Sequence, residues 1–219
     1  MKLYSYWRSS SAWRVRIALG WKGLPFELRA VHLIKDGGEQ NTPAYRDVNP
    51  LGQVPVLELD DGRRLAQSMA ILEYLEECHP APPLLPADPW SRARARQLAE
   101  MVNAGIQPLQ NLATLRHVKG ALGGDPDVWV RHFVSRGLAA LESTAGDTAG
   151  AFMVGDAPSF ADVYLVPQLY SARRYQVDLA PYPTLLRVDA ACAALPAFQV
   201  AHADAQPDAQ VQADPPPVR

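Results

Sequence analysis

The densest group of chemically capable side chains is Arg8-Ser9-Ser10-Ser11-Ala12-Trp13-Arg14-Val15-Arg16, where an apolar opening run gives way to a helical pattern. At a helix N-terminus the backbone N–H groups lack intrahelical partners and the dipole favours negative charge, so hydroxyls placed there can hold an anion or a thiolate. A plain helix cap by Ser10 or Ser11 explains the same residues equally well. Arg8 and Arg14, bracketing the serines, favour the anion site. A second group is Asn49-Pro50-Leu51-Gly52-Gln53-Val54-Pro55-Val56, a turn leading into a strand. With a cis Val54-Pro55 bond the N–H and C=O of Val54 would point outward, open to a peptide ligand; a trans proline at a strand start is the plainer alternative. Third, Gln67-Ser68 opens a helical segment whose N-terminus either holds a carboxylate or is capped by the serine.

The elements that must position these groups are legible from the apolar spacing. Met1 to Tyr6 is an apolar run, Ala12 to Trp21 has helical spacing, and PFELRAVHL reads as a strand, which makes a βαβ opening. VPVLEL and RRLA, separated by Asp60-Asp61-Gly62, form an expected antiparallel hairpin. From Ser68 the pattern Met69, Ile71, Leu72, Leu75 is helical and stops before PAPPLLPADP, which places a domain boundary at about residues 80 to 89. Beyond it strand signals vanish. Arg92 to His117, Asp127 to Glu142, Ser159 to Arg174 and Pro183 to Leu195 carry three- and four-residue apolar spacing, predicting an all-helical second domain. Ser159-Phe160-Ala161-Asp162 is a capping box with a local folding role. The tail from Ala203 has little apolar mass and is expected to be loose or draped on the surface.

Composition narrows the function classes. Of 219 residues, 48% are hydrophobic and 20% charged, as in ordinary globular chains, and 21 basic against 23 acidic residues leave a formal charge of -2. No net field draws such a molecule to nucleic acid or to an anionic membrane. Cys78 and Cys192 are too few for a disulfide framework, which fits a reducing, cytoplasmic setting. The five histidines, His32, His79, His117, His132 and His202, are scattered without partner spacing, so metal or triad chemistry is not expected. The charged N-terminal stretch and the lack of 18 consecutive apolar residues predict neither a signal peptide nor a membrane span.

The order of SSSAWRVRIAL, NPLGQVPVLELD, AQSMAILEYLEE, a Pro-rich linker and a helical region resembles the glutathione S-transferases. LIKDGGEQ, LLPADP, GIQPLQNL, VGDAPSFADVYLVPQ and RRYQVDLAPYP are similar to the zeta class of that family, and the resemblance runs from Lys2 to about Pro207. It implies a thioredoxin-like βαβαββα domain over residues 1–80, a linker over 81–89, an all-helical domain over 90–205, a flexible tail over 206–219, and a homodimer. It implies glutathione as cofactor: Ser9, Ser10 and Ser11 against its sulfur with Arg14 beside them, Val54 and a cis Pro55 on the cysteinyl backbone, and Gln67 and Ser68 on the γ-glutamyl carboxylate. Gln40, Gln107 and Asn111 would lie around the cofactor. Arg8, Arg14 and Arg174 would bind a small dicarboxylate, arginine being suited to planar carboxylates; Arg173 reads as a solvated helix end. The family commonly has Cys where this chain has Ser11, which removes any step needing a protein thiol there.

The activity so implied is glutathione-dependent cis–trans isomerisation of maleylacetoacetate to fumarylacetoacetate, in tyrosine and phenylalanine catabolism. The alternatives are the same chemistry on maleylpyruvate in gentisate degradation, and transfer of glutathione to, or dehalogenation of, small α-halo acids. A non-catalytic binding module on the same fold is the reading furthest from these.

Overall fold

The structure is a computed structural model, and it describes residues 1–209. The chain forms two compact units, Met1–Pro82 together with the described residues from Pro196 on, and Pro83–Leu195.

The first unit opens with strand β1 (Lys2–Ser5), helix α1 (Ser10–Trp21) and strand β2 (Glu27–Ala30), followed by a one-turn helix α2 (Pro43–Arg46). Strands β3 (Val56–Glu58) and β4 (Arg64–Ala66) and helix α3 (Ser68–Cys78) complete the βαβαββα order. The sheet runs β2-β1-β3-β4, with β1 and β2 parallel and the other neighbours antiparallel. Leu3 and Leu57 lie opposite each other in register and are fully buried. In strands, successive side chains face opposite sides, so this pairing gives the sheet one apolar face for helices to cover. The hairpin between β3 and β4 turns at Gly62, whose φ of +84° suits a residue without a Cβ.

Helix α1 is enclosed from Ala12 to Leu19 because β1, α3 and a further helix, α9 (Pro196–Ala201), all pack against it. That enclosure takes Arg14 and Arg16 inside with the apolar residues. At its C-terminal end Lys22 Nζ, with a fully buried side chain, meets Glu76 Oε2 at 2.7 Å and the carbonyls of His79 and Pro82 at 2.6 and 3.1 Å. The ammonium is thus fully satisfied, which is what makes burial of such a pair tolerable.

The second unit consists of α4 (Pro89–Asn103), α5 (Leu112–Gly120), α6 (Pro126–Ala145), α7 (Phe160–Arg174) and α8 (Pro183–Ala193). Its axis is α7, buried on every side from Phe160 to Leu169 and packed against α4 and α8. The capping box at its start is formed: Asp162 accepts from Ser159 N–H and Oγ at 2.8 Å and from Met153 N–H at 2.9 Å.

Two sequence expectations need correction. The single helix expected over Arg92 to His117 is three pieces, because the chain leaves α4 at Ala104-Gly105 and passes through a 3₁₀ turn, Gln107–Gln110, containing Pro108. Proline has no N–H to continue the ladder, and Asn111 restarts it from an extended conformation. The residues from Pro196 on, assigned in sequence to the helical domain and a loose tail, pack with the first unit. Gln206 is buried and donates to the carbonyls of Val200 and His202 at 2.9 and 3.0 Å, and Asp208 Oδ2 accepts from Trp7 N–H at 2.8 Å. The rest of the expected tail, 210–219, lies outside the described residues.

Candidate active site

The serine cluster sits where β1 delivers the chain to α1. Ser9 is the cap, with extended backbone (φ −69°, ψ 114°), and its Oγ accepts from Ala12 N–H at 3.3 Å. The cap is therefore the first serine, not Ser10 or Ser11, which occupy the first turn beside it; all three are partly exposed. The Ser9 hydroxyl, besides accepting from Ala12 N–H, carries one O–H that it can donate. Arg8, also partly exposed, places its guanidinium 5.2 Å from the centroid of the Trp7 ring.

Arg14 departs from its expected place. It is fully buried, and its Nη1 donates to Ser68 Oγ at 3.1 Å. In this position it ties the first turn of α1 to the first residue of α3 and presents no face to a substrate carboxylate. The arginine thus brings the serine cluster and Gln67-Ser68 into one assembly.

At α3 the capping residue Gln67 has φ +74° and makes no side-chain capping bond. A non-glycine residue in this region is strained, and such strain concentrates at binding sites. Ser68 is 4% exposed and Gln67 is exposed, so the uncapped helix end meets solvent through the glutamine. Helix ends of this kind suit a carboxylate.

The Val54–Pro55 peptide bond is cis. Asn49 braces the turn that precedes it, accepting from Leu51 N–H through Oδ1 at 3.1 Å and donating through Nδ2 to Gln53 O at 2.8 Å; Tyr45 Oη donates to the same carbonyl at 2.8 Å. Among the described residues, neither the N–H nor the C=O of Val54 bonds to another backbone group. Gly52 in this turn has φ +61°, and a Cβ there would fall 2.7 Å from the Gln40 carbonyl. Gln40 is therefore packed against the turn. Its buried side chain donates through Nε2 to Leu33 O at 3.1 Å, and its Oε1 has no hydrogen-bond partner among the described residues.

Three candidate residues belong to the second unit. Gln107 Nε2 donates to Asn111 Oδ1, closing the 3₁₀ turn on itself. The turn is anchored from α7: Gln110 Nε2 donates to the fully buried Gln168 at 2.9 Å, and Ser171 Oγ donates to Gln110 Oε1 at 3.1 Å. At the end of α7 the two neighbouring arginines differ. Arg173 Nη2 pairs with Asp189 at 2.6 Å, whereas the exposed Arg174 lies 4.5 Å from the Tyr175 ring centroid and donates to Tyr175 Oη at 2.8 Å. The stacking and the bond to Tyr175 Oη hold the Arg174 guanidinium in one orientation.

Two residues with a part in this geometry were missed in the sequence. Arg16, 2% exposed, donates Nη1 to Tyr6 O at 3.3 Å and Nη2 to Trp7 O at 2.8 Å, holding the turn before Ser9; Asp208 holds Trp7 N–H from the other side. Arg16 stands in the same motif as Arg14, but nothing in the spacing says which arginines turn inward. Asp208 has no sequence signal at all.

No helix among the described residues is long and apolar enough to cross a membrane, and no cluster of His, Cys, Asp and Glu among them could hold a metal ion.

Comparison with known proteins gives a consistent result. The family model described as glutathione S-transferase, N-terminal domain, matches residues 8–78, and that of the C-terminal domain matches residues 134–203. Maleylacetoacetate isomerase of Pseudomonas aeruginosa is 50% identical over 210 residues, covering 95% of this chain and 98% of its own. The crystal structure of maleylacetoacetate isomerase from Anaeromyxobacter dehalogenans 2CP-1 with glutathione bound in its active site has 60% identity and a TM-score of 0.87, over 95% of this chain and 97% of that one. A second structure of that protein holds dicarboxyethyl glutathione and citrate, with 57% identity and a TM-score of 0.86, over 95% of this chain and 96% of that one. A maleyl pyruvate isomerase, a bacterial glutathione S-transferase in the zeta class, is 45% identical with a TM-score of 0.90, over 95% of this chain and 99% of that one. Matched in both domains, and by relatives along almost its whole length, the chain belongs to the glutathione S-transferase family.

Proposed function

We propose that this chain is a glutathione-dependent cis–trans isomerase that converts maleylacetoacetate to fumarylacetoacetate, acting in the cytoplasm as a homodimer in tyrosine and phenylalanine catabolism. The observation that carries the reading is the arrangement within the first unit: a serine-capped α1, a Val54 backbone with no backbone partner among the described residues, and an α3 whose Gln67 makes no side-chain capping bond. These groups suit the three parts of glutathione in turn, namely its thiol, its cysteinyl peptide and its γ-glutamyl carboxylate. The Gln40 Oε1, buried and without a partner among the described residues, is a further acceptor beside the same turn.

When bound, glutathione supplies the sulfur: a C–S bond forms at the cis double bond, the remaining single bond turns, and loss of the sulfur restores the alkene as the trans isomer. Ser9 directs its O–H at the thiolate, and the orphan N–H groups of the first turn of α1, with Ser10 and Ser11, lower the cost of its charge. Val54 pairs through its N–H and C=O. Gln67 and the N–H groups at the start of α3 hold the carboxylate, with Arg14 fixing Ser68 as a positioning residue. Arg8 is the carboxylate-binding candidate of the first unit, and Arg174, Gln107 and Asn111 are the polar candidates of the second.

The likeness to a maleyl pyruvate isomerase supports a second reading, the same chemistry on that shorter substrate. An absorbance assay with maleylacetoacetate and maleylpyruvate, each with and without glutathione, tests both. Glutathione-dependent turnover of maleylacetoacetate is the expected result. Turnover of maleylpyruvate alone would favour the second reading, turnover only of α-halo acids would make the chain a transferase or dehalogenase, and inactivity towards all would leave a binding module.

Replacing Arg174 with Ala is expected to raise KM for the dicarboxylate about tenfold, the worth of one charge-assisted hydrogen bond, while KM for glutathione stays within about twofold. Steady-state kinetics with each component varied in turn measures this. An unchanged KM for the dicarboxylate would remove Arg174 from the site.

A further inference from the structure

The two residues before the Arg8-Ser9 step are held by side chains rather than by secondary structure. Arg16 donates to the carbonyls of both Tyr6 and Trp7, and Asp208 accepts from Trp7 N–H, so one cation and one anion grip three consecutive backbone groups. The Tyr6 carbonyl that takes the Arg16 bond also accepts from Ser9 N–H at 2.9 Å. The clamp is therefore one hydrogen bond from the cap.

The clamp is completed from the C-terminal segment and from Ser5 at the end of β1. Arg16 Nε donates to Ala201 O at 3.1 Å, and Nη1 also donates to Ser5 Oγ at 3.1 Å. His202 meets the Trp13 ring edge-on at 4.8 Å, and Gln206 ties the chain back on itself before Asp208 reaches Trp7. Burial, opposed through space by the half-buried Asp208 carboxylate, holds the Arg16 guanidinium down at about 9. A fold that needed only to cover α1 could stop at α9. Instead the chain continues and places a carboxylate on the turn that sets the direction of Ser9. A buried charge with several bonds has one low-energy arrangement, so the geometry of this turn is held by side-chain bonds from Arg16 and Asp208 in addition to the turn's own Ser9 N–H to Tyr6 O bond.

We propose that Asp208 is a positioning residue of the thiol site, acting with Arg16 to fix the Tyr6-Trp7 turn so that the Ser9 hydroxyl points at the sulfur of glutathione. The C-terminal segment is then a working part of the site. This rests on the reading of Ser9 to Ser11 as the thiol site.

The test uses the full chain with Asp208→Ala, Asp208→Asn, Ser9→Ala and, as a control for charge, Asp204→Asn. Asp204 is exposed in the same segment and lies 3.7 Å from His202. Calorimetry gives the affinity for glutathione, the ultraviolet absorbance of the bound thiolate against pH gives the midpoint of its ionisation, and thermal melting reports folding. Asp208→Ala is expected to weaken glutathione binding about tenfold and to raise the thiol midpoint by about one pH unit, as loss of one charge-assisted bond dictates. Asp208→Asn keeps an acceptor for Trp7 N–H but loses the charge, and should move both values in the same direction by less. Asp204→Asn should move neither. If Asp208→Ala does not fold, Asp208→Asn carries the test alone. Wild-type affinity and midpoint in the folded Asp208 variants, with both moved in Ser9→Ala, would overturn the proposal and leave the thiol site standing. If Ser9→Ala moves neither value, the thiol-site reading fails and the clamp fails with it.

Discussion

Replacing Ser9 with Ala is expected to lower glutathione-dependent turnover about 10²-fold, the usual cost of removing one donor aimed at developing negative charge. Ser9 is singled out from its neighbours by its bonding. Its oxygen already accepts from Ala12 N–H, which fixes the side chain, and its hydrogen is the group left to give. Alanine removes that donor and also the cap, worth about 1 kcal/mol of helix stability. Threonine keeps both functions, so Ser9→Thr should retain most of the activity. The variants separate the two roles: a loss in Ser9→Ala that follows its melting temperature reports the cap, whereas a loss at temperatures where the variant is fully folded reports the donor. Thiolate absorbance measured alongside turnover adds a second readout, because loss of a donor to the sulfur raises the midpoint of its ionisation in the fully folded variant. Ser10→Ala and Ser11→Ala are expected to cost less, since neither residue is the cap. A wild-type rate in Ser9→Ala would move the thiol donor elsewhere in the first turn of α1.

The residues that carry this site differ in how far their sequence announced them. Ser9 to Ser11, Val54-Pro55 and Gln67-Ser68 all lie where one element hands over to the next, and such junctions are marked by turn residues and a change of apolar period, both local signals. The βαβαββα order follows from the same signals. Arg14 and Arg16 show where local reading stops. On an isolated helix they look like surface cations beside an anion site, but α1 is covered by β1, α3 and α9, so the burial of both is decided by elements far away in the chain. The break between α4 and α5 was hidden for a related reason: apolar spacing continues across Gly105 and Pro108, and only the backbone chemistry of those two residues interrupts the helix. The segment from Ala203 to Asp208 was the hardest to read. Its contacts are polar and long-range, Asp208 meeting a backbone N–H some two hundred positions earlier, and a polar, proline-containing stretch looks the same whether it is loose or bound.

Asp162→Ala should cost about 3–5 kcal/mol of stability, seen as a fall in denaturation midpoint. The carboxylate is fully buried and accepts from Met153 N–H, Ser159 N–H and Ser159 Oγ, joining the start of α7 to the loop before it. Alanine leaves those three donors buried without an acceptor at the end of the helix around which the second unit is built. The same residue sets a pH dependence whose sign follows from its environment. Burial raises the Asp162 carboxyl from 3.8 to about 6, against the hydrogen bonds that lower it. The folded chain then binds this proton more tightly than the unfolded chain, so the contribution of Asp162 to stability is fully present below about 4 and declines as pH rises to about 6. Above that it is constant. Asp162→Asn cannot titrate, and the stability difference between wild type and this variant should therefore shrink as pH is raised from 4 to 6. Chemical denaturation of both proteins across that range tests the claim; a difference that grew with pH would mean that the three donors outweigh burial and hold the carboxyl below its ordinary value.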